Sequence, residues 1–402
     1  MSDKSQHYTP ASEVDRGRVD GNRIVFPPWR GDADLSGGQP PSPLPPEKRI
    51  GFAVVGLGRL SLQQIIPALA TCGKARLAAL VSGSPVKLAL TARQYGIPDQ
   101  NCHDYENFDR LVDNRDVDVV YIVLPNAMHR EFTERAARAG KHVLCEKPMA
   151  TSVADAEAMI AACAAARVKL MIAYRIQYQP HNRHMLSLVR NGRYGRLVSL
   201  QSVNVQTVAE NGADQWRHKR AMSGGGSLPD IGLYCLNTAR FLTGEEPYEV
   251  SAQQFSPEGD PRYAEVEETM SFTMRLPSGT LVQSLTSYGA REDKYYRLNF
   301  ERATVELRHA YDYKGQRLFV SRKDGTMTEE TEIVIAAKDQ FAAEMEHMAT
   351  CILEGRQPNT PGEEGLQDQK LMEAIYDAAR TGQPLALPLL EGRDLFRSPP
   401  ST

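Results

Sequence analysis

Apolar and polar positions change their period twice along this chain. From Arg49 onwards, solidly apolar runs alternate with stretches of helical period. "IGFAVVGLG" predicts a short strand, "SLQQIIPALATC" a helix kinked by Pro67, and "RLAALVSG" a second strand. "PVKLALTARQYG" predicts a helix stopped at Gly96, "VDVVYIVLP" a strand, "HREFTERAARAG" a helix and "HVLCEKP" a strand. "SVADAEAMIAACAAARV" and "KLMIAY" complete the series as helix and strand. Strands that are apolar throughout need cover on both faces, which is the situation in a doubly wound parallel sheet.

Near residue 195 the period falls to two. "LVSLQSVNVQ", "VEETMSFTMRL", "LVQSLTSYG", "YYRLNF" and "ATVELRH" predict strands of an open, largely antiparallel sheet. "QFAAEMEHMATCILEG" and "GLQDQKLMEAIYDAARTG" predict two closing helices. The fold class expected is α/β in three parts: an arm over residues 1–48, a doubly wound parallel-sheet domain over 49–173, and an α/β domain over 174–402. Length agrees, because 402 residues exceed a typical single core.

Residues 1–48 have no apolar period, and "FPPWRGDADLSGGQPPSPLPPEKR" is rich in Pro, Gly and Asp. Two readings stand open: a disordered tail, or a proline-stiffened strap that docks through Phe26 and Trp29.

Composition narrows the partners. A net charge of −3 with both signs scattered argues against nucleic acid or an anionic membrane surface. No apolar run reaches the roughly 18 residues of a membrane span. Six cysteines lie far apart without a C-x-x-C pair, as free thiols in a reducing compartment would. "MSDKSQHYTP" lacks the basic-then-apolar pattern of a secretory signal, so a cytoplasmic protein is expected. The histidines form no H-x-x-x-H or H-E-x-x-H pair, so no metal is expected.

Gly56-Leu57-Gly58 follows the first strand and opens the first helix, where a dinucleotide pyrophosphate would sit. The third fingerprint position is Ser61 rather than Gly or Ala. At the end of the second strand, where an acidic residue binds the ribose of NAD, the chain has Ser82, with Lys87 close behind. A hydroxyl and an ammonium attract a 2′-phosphate that a carboxylate would repel, so NADP is favoured over NAD. The alternative is a turn serine and a solvated lysine.

Two further stretches carry candidate chemistry. "CEKP" ends a strand at the ligand edge of such a sheet and aims Lys147 at the cleft. "SGGGSLPDIGLYCLN" opens a helix with Asp230 and Tyr234 four residues apart, on one face. Each also has a structural reading: Ser227-x-x-Asp230 fits a capping box, and Tyr234 fits a half-buried core aromatic.

In order, G-x-G, "LPNAMH", "CEKPMATSVADAE", "GGGSLPDIGLY", "GEEPYEV", "PGEEG" and "AIYDAARTG" resemble the Gfo/Idh/MocA oxidoreductase family across nearly all of residues 49–390. Tyr at 234, where many members carry His, is similar to its glucose–fructose type. The resemblance implies an N-terminal Rossmann domain and a C-terminal domain whose open sheet carries substrate and subunit contacts. It implies Lys147, Asp230 and Tyr234 as the catalytic set. Cofactor contacts then fall on Gly56, Gly58, Arg59 and Leu60, on Ser82, Lys87 and Tyr105, and on Pro125, Asn126 and His129. Glu146, Lys147, Arg175, Trp216, Arg217 and Tyr288 complete them.

The resemblance thus implies a sugar oxidoreductase. Hydride leaves C1 of a cyclic aldose for NADP as Tyr234 takes the anomeric proton, Lys147 supports the phenolate, and Asp230 orients hydroxyls or shares the proton. Retained NADP would then be recycled by reducing a second sugar, in a homo-oligomer (dimer or tetramer) whose arm covers the cofactor. The alternatives are an ordinary sugar or inositol dehydrogenase that exchanges NAD(P), and a non-catalytic nucleotide sensor on the same fold.

Overall fold

The computed structural model describes residues 18–21, 23–25 and 43–398, and the chain falls into two units, residues 1–44 and 45–402. In the first, strands β1 (Arg18–Asp20) and β2 (Arg23–Val25) pair antiparallel, Arg18 opposite Val25. Gly21 turns between them at φ +59°, a conformation glycine adopts without strain. Neither open reading of the arm included this hairpin; strands of three residues are too short to register as a period. Phe26, Pro27, Pro28, Trp29, Pro40 and Pro41, on which the strap reading rests, lie outside the described residues.

In the second unit, β3 (Ile50–Val55) is buried at every position, as its unbroken apolar run requires. It lies inside a six-stranded parallel sheet with β4 (Ala75–Val81), β5 (Cys102–His103), β6 (Val119–Ile122), β7 (His142–Glu146) and β8 (Leu170–Ala173), in the order β5-β4-β3-β6-β7-β8. The chain winds outward from β3 in one direction and then, from β6, in the other. The switch between β3 and β6 opens a crevice at the carboxyl ends of the strands, where ligands of such sheets bind.

The helix after β3 begins as a wide turn, Ser61–Ile65, and continues as α1 (Ile66–Leu69). Ile66 donates to Ser61 O, five residues back, next to Pro67, which has no N–H to give. The following helices are α2 (Pro85–Tyr95), α3 (His129–Arg138) and α4 (Val153–Ala165). Ser84 caps α2, and Gly96 stops it at φ +68°.

After α5 (Pro180–Arg190) comes β9 (Leu197–Thr207), then α6 (Arg220–Ser223) and α7 (Leu233–Thr243). Seven strands come next: β10 (Glu249–Phe255), β11 (Thr269–Arg275), β12 (Leu281–Ser287), β13 (Gly289–Phe300), β14 (Thr304–Arg308), β15 (Arg317–Asp324) and β16 (Met327–Ile333). Helices α8 (Gln340–Leu353) and α9 (Gly362–Thr381) and strand β17 (Leu385–Ala386) complete the chain. The nine strands run β16-β15-β14-β13-β9-β12-β11-β10-β17, all pairs antiparallel except β9 with β12. The second sheet is thus mixed and mostly antiparallel, and the molecule is α/β.

Alternation puts one face of β11 and β12 inward and the other outward. Residues of both sheets share one buried core. Helix α8 leaves its neighbours in sequence and packs Phe341, Met345 and Met348 against Phe52, Val54 and Ile65 of the parallel layer. No helix among the described residues is long and apolar enough to cross a membrane.

Candidate active site

A cavity of about 1090 Å³ lies over the carboxyl ends of the parallel strands and reaches the inner face of the nine-stranded sheet. Its floor at one end is the turn after β3. Gly56 sits at φ +95°, and a Cβ there would fall 2.3 Å from Val123 O, so only glycine fits. A Cβ on Gly58 would meet nothing within 4 Å, which leaves open space above the turn. Ser61 is buried, and its hydroxyl donates to Gly56 O. It therefore serves the small-residue packing position of the fingerprint while tying the helix to the turn.

The end of β4 is polar and free of acids among the described lining residues. Ser84 N donates to Ser82 Oγ at 3.1 Å, Lys87 Nζ lies 3.4 Å from Leu57 O, and Tyr105 packs against Gly83. Arg59 and Lys87 are the cations of this end. Open backbone beside a glycine turn, with hydroxyls and cations nearby, fits the phosphates of a dinucleotide.

The other end gathers Lys147, Asp230 and Tyr234. Lys147 follows β7, just before the cis Lys147–Pro148 peptide. Asp230 lies in a wide helical turn, Leu228–Gly232, that runs into α7, the helix bearing Tyr234. The capping-box reading fails here: Ser227 has helical backbone angles and makes no cap bond. The N–H groups of Gly226 and Leu228 donate instead to the buried Glu267 carboxylate, at 3.0 and 2.9 Å. The glycines are there for closeness, since a Cβ on Gly226 would fall 2.0 Å from Glu267 O.

Freed from capping, the Asp230 carboxylate faces Lys147 Nζ at 3.5 Å and Arg217 Nε at 3.3 Å, and it accepts from the Tyr288 hydroxyl at 2.8 Å. Burial acts to raise its carboxyl, but Arg217, Lys147 and Tyr288 outweigh burial and hold it down at about 2. A group that acidic stays ionised at neutral pH, and an ionised carboxylate only accepts hydrogen bonds. Lys147 Nζ also donates to Asp230 O at 2.6 Å and lies 4.8 Å from the Tyr234 ring centre. The Tyr234 oxygen accepts from Arg175 Nε at 3.2 Å, which leaves its own O–H to donate elsewhere. Arg175 is pinned in turn by Gln340 Oε1 at 2.6 Å and Tyr311 O at 2.7 Å.

Behind Lys147, the Tyr121 hydroxyl lies 2.8 Å from Glu146 Oε1 and 3.0 Å from Glu344 Oε1, all three residues buried. One hydroxyl proton serves only one of these contacts, so a carboxyl must supply the other. Burial pushes both carboxyls up, Glu344 well above its ordinary value. Glu344 Oε2 has no partner among the described residues, as a neutral acid tolerates better than an anion. Glu344 is thus the protonated member, and Glu146 faces the cavity beside Lys147 and Arg175.

Of the residues expected from sequence, Gly56, Gly58, Arg59, Leu60, Ser82, Lys87, Tyr105, Pro125, Asn126 and Glu146 line this one cavity, with Lys147, Arg175, Trp216, Arg217, Asp230, Tyr234 and Tyr288. His129 does not. It is fully buried at the start of α3, its ring nitrogens 2.9 Å from Leu124 O and Pro148 O, so it braces two cavity loops from behind. Residues not foreseen also line the wall: Asn204, Gln206, His218, Lys294, Asp312, Tyr313 and Phe341. One available signal was a polar residue on the inward phase of β9, at Asn204.

Residues 50–174 match the family described as oxidoreductase family, NAD-binding Rossmann fold, and residues 182–306 match the GFO/IDH/MocA C-terminal domain. The D-xylose 1-dehydrogenase (NADP+) of Haloarcula marismortui is 30% identical over 335 residues, 83% of this chain and 91% of that protein. The 1,5-anhydro-D-fructose reductase of Ensifer adhaerens is 27% identical over 341 residues, 83% of this chain and 97% of that protein. The crystal structure of aldose-aldose oxidoreductase from Caulobacter crescentus, complexed with glycerol, superposes with a TM-score of 0.81 at 46% identity, covering 84% of this chain and all of that one. With both halves matched and the cleft between the two sheets furnished as described, the chain belongs to the Gfo/Idh/MocA oxidoreductase family.

Proposed function

We propose that the protein is an NADP-dependent sugar oxidoreductase that oxidises a cyclic aldose at C1 to its lactone. The observation that carries the reading is the convergence of Lys147, Asp230 and Tyr234 at one end of a nucleotide-sized cavity. The names of the relatives at 30% and 46% identity, a xylose dehydrogenase and an aldose-aldose oxidoreductase, support sugar as the substrate class. The acid-free end of β4, with Ser82, Arg59 and Lys87, supports NADP.

Gly56, Gly58, Ser82, Lys87 and Tyr105 would hold the nucleotide, and the nicotinamide supplies a hydride acceptor when bound. C1 gives up hydride with its electron pair, the anomeric hydroxyl gives up a proton, and C1=O of the lactone remains. Tyr234, acting as its phenolate, takes that proton from the anomeric oxygen and becomes the neutral phenol. Lys147, anchored on Asp230 O, holds the same oxygen through a remaining N–H. Asp230, kept ionised, accepts from a neighbouring sugar hydroxyl.

We infer further that NADP stays bound and is recycled by a second sugar, as the name of the 46% relative suggests for that protein. Exchange of nucleotide at each turnover is the second reading, favoured by the dehydrogenase relative. A cytoplasmic dimer or tetramer completes the proposal; six unpaired cysteines are in keeping with a reducing compartment. The test is to desalt the purified protein, denature it and identify any nucleotide released. Stoichiometric NADP is expected; no nucleotide would favour exchange, and NAD would overturn the cofactor assignment.

A further inference from the structure

Arg175 opens the helical turn Arg175–Tyr178 after β8 and is 5% exposed. Its Nε donates to the Tyr234 oxygen at 3.2 Å. Its other side-chain bonds go to Gln340 Oε1 at 2.6 Å, Tyr311 O at 2.7 Å and Asp312 O at 3.5 Å. All four partners are uncharged oxygens, and no carboxylate comes within ion-pairing distance of Arg175 among the described residues. A guanidinium stays charged at every working pH, and a buried charge without a counter-ion is costly. Of the four partners, only the Tyr234 phenol can turn into an anion. Burial acts against the Arg175 charge, and it is outweighed by Tyr234, Tyr313 and Glu146, Tyr234 foremost.

Lys147 is placed differently. Its Nζ donates to Asp230 O at 2.6 Å, faces Asp230 Oδ1 at 3.5 Å and lies over the Tyr234 ring, 4.8 Å from its centre. It makes no hydrogen bond to the Tyr234 oxygen, where the charge of a phenolate is greatest; Arg175 makes that bond.

We propose that Arg175, rather than Lys147, is the cation that stabilises Tyr234 as its phenolate, which leaves Lys147 to the anomeric oxygen. The proposal rests on the reading of Tyr234 as the proton acceptor. Other ionisable groups surround Tyr234. Asp230, one turn back, is held at about 2, and Arg217 is paired with it. Burial pushes Tyr311, its ring centre 5.7 Å from that of Tyr234, well above the ordinary phenol range, and Tyr313 up to about 12. Glu146 is raised by burial and also answers to Arg175, so Tyr234 is followed by its own absorption as well as by rate.

The experiment uses NADP-loaded protein. Ionisation of Tyr234 is followed by the near-ultraviolet difference band of tyrosinate, parent minus Tyr234→Phe. The same difference is taken in the background of Arg175→Met, of Arg175→Lys and of Lys147→Met. Single-turnover reduction of NADP by glucose or xylose is followed across the same pH range. In Arg175→Met both the ionisation and the rise of rate should move up by about one to three pH units. At a fixed pH below the parent's rise the rate then falls about tenfold or more, and it recovers when the pH is raised by the same interval. Arg175→Lys keeps a cation and should move both by less, and Lys147→Met should move the ionisation by less than Arg175→Met does. Nucleotide titration verifies folding, and Arg175→Gln replaces Arg175→Met if the latter does not bind NADP. An ionisation unmoved on loss of Arg175, a rate lowered alike at every pH, or a larger shift in Lys147→Met would each overturn the proposal. A shifted ionisation with no turnover of either sugar would leave the Arg175–Tyr234 pairing standing and overturn the sugar reading.

Discussion

Ser82 ends β4 where a carboxylate would exclude a 2′-phosphate, and its replacement by Asp tests nucleotide choice at a single atom group. Ser82→Asp should weaken NADP far more than NAD, by about tenfold or more relative to the parent preference; equal weakening of both nucleotides would return Ser82 to a turn residue. Glu344 makes a different claim, about a proton. An acid held neutral in the fold binds a proton that the unfolded chain releases above about pH 4.3. Stability attached to it is therefore present at low pH and falls as pH rises, by about 1.4 kcal/mol per pH unit until the folded acid itself ionises. Glu344→Gln removes that slope, so the variant should gain on the parent as pH rises above about pH 5 in urea unfolding. A constant difference would place the shared proton elsewhere. At this scale Lys147, Asp230 and Tyr234 were legible because each sits in a short motif whose order carries the resemblance. Asn204, Glu267 and Glu344 were not: each has its meaning from a partner on another element, Ile231 O, the Gly226 and Leu228 N–H groups, and Tyr121.

The two elements that build the site both begin as wide helical turns, Ser61–Ile65 under the nucleotide end and Leu228–Gly232 under Asp230. Apolar period announces the helices but not their winding, so the first was foreseen only as a proline kink. For the second, the structural alternative was a capping box, a local device, whereas its cap comes from Glu267 just before β11. That carboxylate also accepts from the Tyr376 hydroxyl at 2.9 Å. Glu267→Gln keeps the size but presents an NH2 group to donors, so at least one of Gly226, Leu228 and Tyr376 loses its partner. The turn that carries Asp230 should shift, lowering kcat by about tenfold or more with nucleotide affinity nearly unchanged. An unaltered kcat would show that the turn holds itself. Strand β16 was missed because it is exposed or half-exposed at every position, so its faces show no alternation to read.

Across the whole molecule, the parallel sheet was legible because each strand–helix unit is closed within about 30 residues of chain. The return of the chain was not legible. Helix α8 brings Glu344 and Gln340 back to the first sheet from far beyond Tyr121 and Arg175 in sequence, and no local pattern encodes that contact. The C-terminal segment is tied in similarly, by charge. Arg397 donates to Glu364 at 2.9 Å and to Arg240 O at 2.9 Å, and Arg240 pairs with Glu246, Glu364 and Asp368, all of them buried. Truncation of one member leaves charge without its partner in a dry interior, so Arg397→Ala should cost about 3–5 kcal/mol in urea unfolding; a change below about 1 kcal/mol would mean the segment is held by other contacts. The proposed function rests elsewhere, on hydride leaving a sugar for NADP as Tyr234 takes the proton. The direct measurement is a single turnover: protein loaded with NADP is mixed with an aldose, and the near-ultraviolet band of the reduced nicotinamide is followed in the parent and in Tyr234→Phe. The band should grow in the parent and grow at least about a hundredfold more slowly in the variant, with nucleotide binding nearly equal in both; growth at the same rate in both would contradict a role for Tyr234 in the proton step.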